Sequence, residues 1–187
     1  MLTDLLMATR SCRRFYPTPR VTKNDITALV AAARLCPSTA NMQRLRFHPV
    51  TDLSDIVTLT GMLSFAGLLP DYGRPSCDRM PTAYLILATG GTPDLNLAID
   101  AGLAAEAILL RATELGFAGC LFRSFCADDV ANLPGMRGMT PVLVVALGAP
   151  AETIRLVDAA PGDSLSYYRT PENVHCVPKL SVEELIF

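Results

Sequence analysis

The chain has 187 residues and a formal net charge of −2, a length that suits one domain of ordinary size. Half of the residues are apolar and mean hydropathy is +0.32, which argues for a packed core and against disorder. The sixteen Lys and Arg are dispersed, which disfavours a nucleic-acid-binding surface; the longest apolar run, Ala101 to Leu110, is broken by Glu106 and falls short of the roughly 20 residues a membrane span needs.

In chain order, Leu2, Leu5, Leu6 and Ala8 form one apolar stripe, which predicts a short helix over Leu2 to Thr9. Asp4 ahead of the apolar patch and arginines behind it reverse the charge order of a secretory signal. After Pro17-Thr18-Pro19, Thr22 is a natural N-cap for a second helix carrying Ile26, Leu29, Val30, Ala33 and Leu35, stopped by Cys36-Pro37. Phe47 to Thr51 reads as a strand and Ile56 to Met62 as a helix. Leu68 to Pro81, rich in Gly, Pro, Asp and Arg, reads as a loop.

Ala83 to Thr89 is a continuous apolar run of strand length, which predicts a buried central strand. Leu95 to Leu115 predicts a long helix, apolar around most of its circumference and closed by Gly116. A strand at Gly119 to Phe122, a short helix at Asp128 to Leu133 and a second buried strand at Pro141 to Leu147 follow. From Ala151 the dense apolar pattern ends; Pro161 to Lys179 reads as an extended arm before a last helix at Ser181 to Ile186.

Strands and helices interleave, yet no glycine-rich loop fits the dinucleotide or nucleoside-triphosphate fingerprints. The six cysteines never form a CxxC pair, which excludes a zinc knuckle or a dithiol motif and suits a reducing cytoplasm. His48 and His175 are too few and too far apart to suggest a metal site, and no GxSxG elbow supports a hydrolase.

Two clusters can carry chemistry. Arg10-Ser11-Cys12-Arg13-Arg14-Phe15 places three guanidiniums and a hydroxyl within five residues, a donor set suited to phosphate; a solvated basic turn is the plain alternative. Pro37-Ser38-Thr39-Ala40-Asn41-Met42-Gln43 concentrates small hydroxyl and amide side chains without charge, which suits either a polar ligand or an ordinary helix-ending loop.

Together these stretches resemble the nitroreductase family, in which an Arg-Arg-Ser-x-Arg-x-Phe segment and a later Pro-Ser-x-x-Asn-x-Gln segment contact flavin mononucleotide (FMN). Further along, Asp100 to Glu106 resembles the start of that family's central helix, Leu115 to Cys120 the turn after it, Val142 to Gly148 its next core strand and Val177-Pro178-Lys179 the tail of one branch. Leu53 to Met80 contributes nothing specific. Two departures stand out: Thr9 replaces the leading Arg, and Arg44-Leu45 replaces the usual Pro-Trp after Gln43.

The resemblance implies an α+β fold, with a central, mostly antiparallel sheet flanked by helices, residues 1–187 forming a single FMN-binding domain, and a homodimer with an extended C-terminal arm. It implies that Arg10, Ser11 and Arg13, with the adjoining Cys12, grip the phosphate and ribityl chain, joined by Lys179. Pro37, Ser38, Thr39, Ala40, Asn41 and Gln43 would lie along the flavin from the second subunit, and Arg123 and Ser124 beside its ring. The implied activity is an oxidoreductase moving electrons from NAD(P)H to a small flat acceptor, nitroaromatic or quinone-like, by ping-pong exchange. The flavin carries the redox chemistry, so no catalytic side chain is expected. The alternative is an FMN-binding protein with little turnover, used in storage, sensing or handling.

Overall fold

The computed structural model describes residues 1–69 and 72–186. Two runs organise the fold. Strand β3 (Ala83–Thr89) is buried along its whole length, and the longer β5 (Thr140–Pro150) is buried from Pro141 to Ala149. They pair antiparallel, with Leu85 opposite Val145. On the outer edge of β3 lies β2 (Arg46–Val50), while β5 also pairs with β4 (Ala118–Phe122) and β1 (Phe15–Tyr16), every pairing antiparallel. The residues paired in β1, and Thr140 together with the last three residues of the eleven-residue β5, lie outside the runs that sequence pattern predicts.

Both faces of this sheet are apolar because successive side chains of a strand point to opposite sides. Leu85, Leu87, Val145 and Leu147 face the core beneath α2 (Lys23–Ala33) and α4 (Leu95–Glu114). Tyr84, Ile86, Val144 and Ala146 face the opposite core with α3 (Leu53–Met62) and α5 (Ala127–Ala131). Each fully buried Leu or Ile contributes about 1.5 to 3 kcal/mol, but two greasy faces alone do not choose a register. The buried Tyr84 hydroxyl does, because it meets Thr60 Oγ1 at 2.8 Å, and a one-residue slip would strand it on the other face at a cost of about 1 to 3 kcal/mol.

Helix α1 (Leu2–Ala8) is short and unburied on most sides. Thr9 fastens its end: the hydroxyl of this buried residue is within hydrogen-bonding distance of Leu5 O, at 2.8 Å, and of Thr113 Oγ1 on α4, at 3.0 Å. The residue that departs from the family pattern therefore serves packing. Helix α2 starts where its cap predicts, Thr22 and Asp25 exchanging hydrogen bonds reciprocally. Helix α4 stops at Gly116, whose φ of +81° is in the left-handed region that L side chains rarely occupy. Gly119 has a different reason: a Cβ there would stand 2.4 Å from Ala146 O and 2.6 Å from Leu109 Cδ2.

The end of the chain differs from the sequence reading. Where Pro161 to Lys179 suggests an extended arm, the chain folds back on itself. Strand β6 (Ile154–Asp158) runs parallel to β8 (His175–Lys179), and β7 (Tyr168–Arg169) pairs antiparallel with β8. Long-range pairing, with no local hydrophobic period, makes this sheet, so pattern analysis does not see it. Helix α6 (Val182–Leu185) follows, capped by Ser181. The loop expected over Leu68 to Pro81 holds a short 3-10 turn at Cys77–Arg79; its residues 70 and 71 lie outside the described residues. Among the described residues, no helix is long and apolar enough to cross a membrane.

Candidate functional site

The guanidinium cluster sits in the turn between α1 and β1. A parallel bridge from Ser11 to Gly119, with the Cys12 amide donating to Gly119 O at 2.9 Å, fastens that turn to the start of β4. Arg10, Ser11 and Arg13 then face the small C-terminal sheet across a cavity of about 130 Å3, whose opposite wall is Tyr167, His175, Val177 and Lys179. Four residues expected to bind one anion thus line one space, although Lys179 is 166 or more positions from the others. Among the described residues, no carboxylate lines it.

The arginines are not equivalent. Arg10 Nη2 donates to Leu6 O at 2.7 Å, capping α1, while its buried Nε has no partner among the described residues. Among the described residues, the Arg13 guanidinium makes one long bond, from Nη1 to Ser11 O at 3.3 Å, and it lies 5.3 Å from the Tyr167 ring centre. Arg14 turns away: it stacks on Tyr72 at 3.8 Å and donates to Tyr72 O at 2.5 Å and Gly73 O at 3.1 Å. Cys12 is in the core, its thiol donating to Arg14 O at 3.1 Å. Burial, helped by the charge of Glu152, pushes that thiol up to about 12, so it stays protonated.

A side chain that sequence analysis does not single out holds this turn. Glu152, following β5, has a side chain only 4 % exposed. Its Oε2 accepts from the amides of Arg13 at 2.5 Å and Arg14 at 3.1 Å, and its Oε1 accepts from the Tyr72 hydroxyl and from Arg169 Nη2. One carboxylate therefore fixes the backbone under the anion cavity and ties it to the 72–73 loop and to β7. Burial and the neighbouring carboxylate raise the Tyr72 pKa, which keeps its phenol a donor. No local motif marks Glu152, because its four partners come from distant segments.

The polar stretch after α2 lines a different cavity, of about 180 Å3, bounded by Pro37, Ser38, Gln43, Arg44, Phe47 and Asp100 among others. It is tightly wound. Ala40, Asn41 and Gln43 all have φ between +47° and +54°, a left-handed conformation that costs free energy for residues other than glycine and clusters at functional sites. Buried Asp100 on α4 holds it, accepting from Thr39 N at 2.9 Å and Thr39 Oγ1 at 3.1 Å. Ser38 Oγ accepts from Gln43 N at 3.2 Å, and Gln43 Nε2 donates to Asn41 Oδ1 at 3.2 Å. Arg44, the departure from the family pattern, pairs with Asp94 at 2.7 Å.

Arg123 and Ser124 line neither cavity. Arg123 donates to Val142 O at 2.9 Å and Ser124 to Ser64 O at 3.0 Å, joining the end of β4 to the segment after α3. Among the described residues, no group of three or more His, Cys, Asp or Glu side chains is placed to hold a metal ion.

Residues 6–64 match the sequence profile of the Nitroreductase family. A nitroreductase family protein from Streptococcus pneumoniae superposes with a TM-score of 0.68 over 100 % of this chain and 99 % of its own, at 18 % identity. One from Clostridium novyi gives 0.65 over 98 % of each chain at 15 % identity. This is the nitroreductase fold. An FMN-dependent nitroreductase from Clostridium difficile shares it with a TM-score of 0.64 and 18 % identity, over 80 % of this chain and 88 % of its own. No curated protein sequence matches the chain. Within that fold, the matched segment contains both polar clusters and all of α3, whereas Glu152 and Lys179 lie beyond it.

Proposed function

We propose that the chain is an FMN-dependent oxidoreductase in which Arg10, Ser11, Arg13 and Lys179 hold the cofactor phosphate. The observation that carries this reading is the cavity those four side chains share, to which they bring three cations and a hydroxyl, with no acid from the described residues in its walls. Arg forks and a lysine ammonium match a phosphate dianion, and each charge-assisted bond contributes about 1.5 to 3 kcal/mol. The unpartnered Arg10 Nε supports the fit, because a buried donor without an acceptor is costly until a ligand supplies one. When bound, FMN supplies two-electron chemistry, accepting from NAD(P)H and giving to a small flat acceptor. The chain's own residues bind, orient and exclude water, so no acid or base of the protein is assigned to the reaction.

The reading includes a homodimer. In one chain, the anion cavity and the strained 37–43 turn are separate. That turn packs on α4 at Asp100, beside an exposed apolar stripe of Leu95, Ile99 and Leu103, which are 76 %, 54 % and 44 % exposed. With exposed Leu35 and Met42 nearby in sequence, this stripe suits a second copy of the chain, whose approach would bring its 37–43 turn to the flavin ring. Six free thiols support a reducing compartment such as the cytoplasm.

Purified protein is expected to bind FMN far more tightly than riboflavin, which lacks the phosphate, and to bleach at the flavin band when NADH or NADPH is added without oxygen. Equal affinity for the two flavins would refute the assignment of the phosphate site. FMN binding without bleaching by either nicotinamide would leave a flavin-holding protein in place of a reductase.

A further inference from the structure

His175, like Tyr167 beside it, lines the anion cavity and belongs to no recognised motif. It lies on β8, opposite Ile154 of β6 and Arg169 of β7, and its backbone N–H donates to Thr153 O at 2.9 Å. The residue is 3 % exposed, and its Nδ1 is buried with no hydrogen-bond partner among the described residues. The Tyr167 ring packs against the imidazole with centres 5.2 Å apart. A buried imidazole is ordinarily held by a partner at each nitrogen that water cannot reach. Here the neighbouring space is the cavity lined by Arg10, Ser11, Arg13 and Lys179.

We propose that His175 is a proton-linked ligand of this cavity: it takes up a proton when a dianionic phosphate monoester binds and donates a hydrogen bond to it. The inference rests on the FMN reading for the ligand's identity, but the chemistry it requires is only that of a tetrahedral dianion.

The electrostatics give the proposal a direction. Arg13 approaches His175 from the α1–β1 turn, Arg169 from β7 and Lys179 from farther along β8; Tyr167 adds a phenol, and Glu152, behind Arg13, a negative charge. Burial, then the charges of Arg13 and Arg169, hold the imidazole below its ordinary value, and Glu152 opposes them. The protein's own charges and burial therefore favour the neutral ring. A dianion neutralises the field of the cations and accepts from the imidazolium, so binding raises the pKa. By linkage, binding is strongest below the pKa of the free protein and weakens as pH rises through the pKa of the complex. Each pH unit of upward movement corresponds to about a tenfold preference of the anion for the protonated protein.

The test is an NMR titration of the imidazole signals of the full chain, alone and saturated with FMN, riboflavin or sulfate. Sulfate is used because its charge is constant near neutrality, whereas the second phosphate ionisation falls near pH 6. His48→Asn assigns the two histidines without touching the cavity, and His175→Asn provides the binding control. The expected result is a His175 midpoint that moves up by about one pH unit or more with FMN and with sulfate and stays put with riboflavin. Sulfate affinity should then fall about tenfold from pH 5 to pH 8 in the wild type and stay flat in His175→Asn. Bound FMN with an unmoved His175 midpoint overturns the proposal and leaves the cofactor reading intact. A sulfate-dependent rise in a protein that does not bind FMN supports the proposal and removes the cofactor reading. Failure to bind either anion overturns both.

Discussion

Glu152→Ala is the substitution through which the architecture of the site can be weighed. The Glu152 carboxylate receives two backbone amides, a phenol and a guanidinium, with the acid 4 % and Arg169 17 % exposed at the side chain. Solvent screening is weak at such burial, so the loss is that of a broken buried pair, about 3 to 5 kcal/mol, and not the 0 to 1 kcal/mol of a surface pair. With a urea slope of about 2 kcal/mol/M, the unfolding midpoint should fall by about 1.5 to 2.5 M with the slope unchanged. Protein concentration is held constant, because the stability of the proposed dimer would depend on it. Combining Glu152→Ala with Arg169→Met should recover part of the loss, since the double variant no longer buries an unpaired guanidinium. A midpoint that drops by less than about 0.5 M in Glu152→Ala would refute the idea that this carboxylate organises the turn.

Removing both charges in Arg10→Ala/Arg13→Ala should weaken FMN binding by about 3 to 6 kcal/mol, from about 1.5 to 3 kcal/mol per charge-assisted bond, while riboflavin binding is unchanged; isothermal titration with both flavins checks this. Gly119→Ala forces a Cβ against Ala146 O and Leu109, an overpacking worth about 1 to 3 kcal/mol or more, and calorimetry should show Tm lowered by about 2 to 12 °C. Ile99→Glu with Leu103→Glu should convert a dimer to monomers in light scattering, because two charges would then be buried in the apolar stripe. A thiol reagent at pH 8 should react first at exposed Cys77 and Cys126; Cys12, buried with its pKa raised to about 12, should react only on unfolding.

What the sequence carries is local. AYLILAT is a nearly continuous apolar run of strand length, which predicts a strand buried on both faces, as β3 is. Thr22 and Gly116 announce the ends of their helices through short-range hydrogen bonding and backbone freedom, and the structure places those ends within a residue or two. The two polar clusters are legible for the same reason, since each packs its donors into a handful of consecutive positions. Tertiary structure alone decides how those donors are combined. Lys179 reaches the Arg10–Arg13 turn only because β8 pairs with β6, and that pairing leaves no period in the sequence. Glu152 and His175 are anonymous in the chain because their meaning lies in partners brought from residues 13 to 169 by folding. Patterning fixes which segments form and which faces they bury; the charge environment of a buried acid or imidazole is a sum over distant neighbours, and exists only once the chain has closed around it.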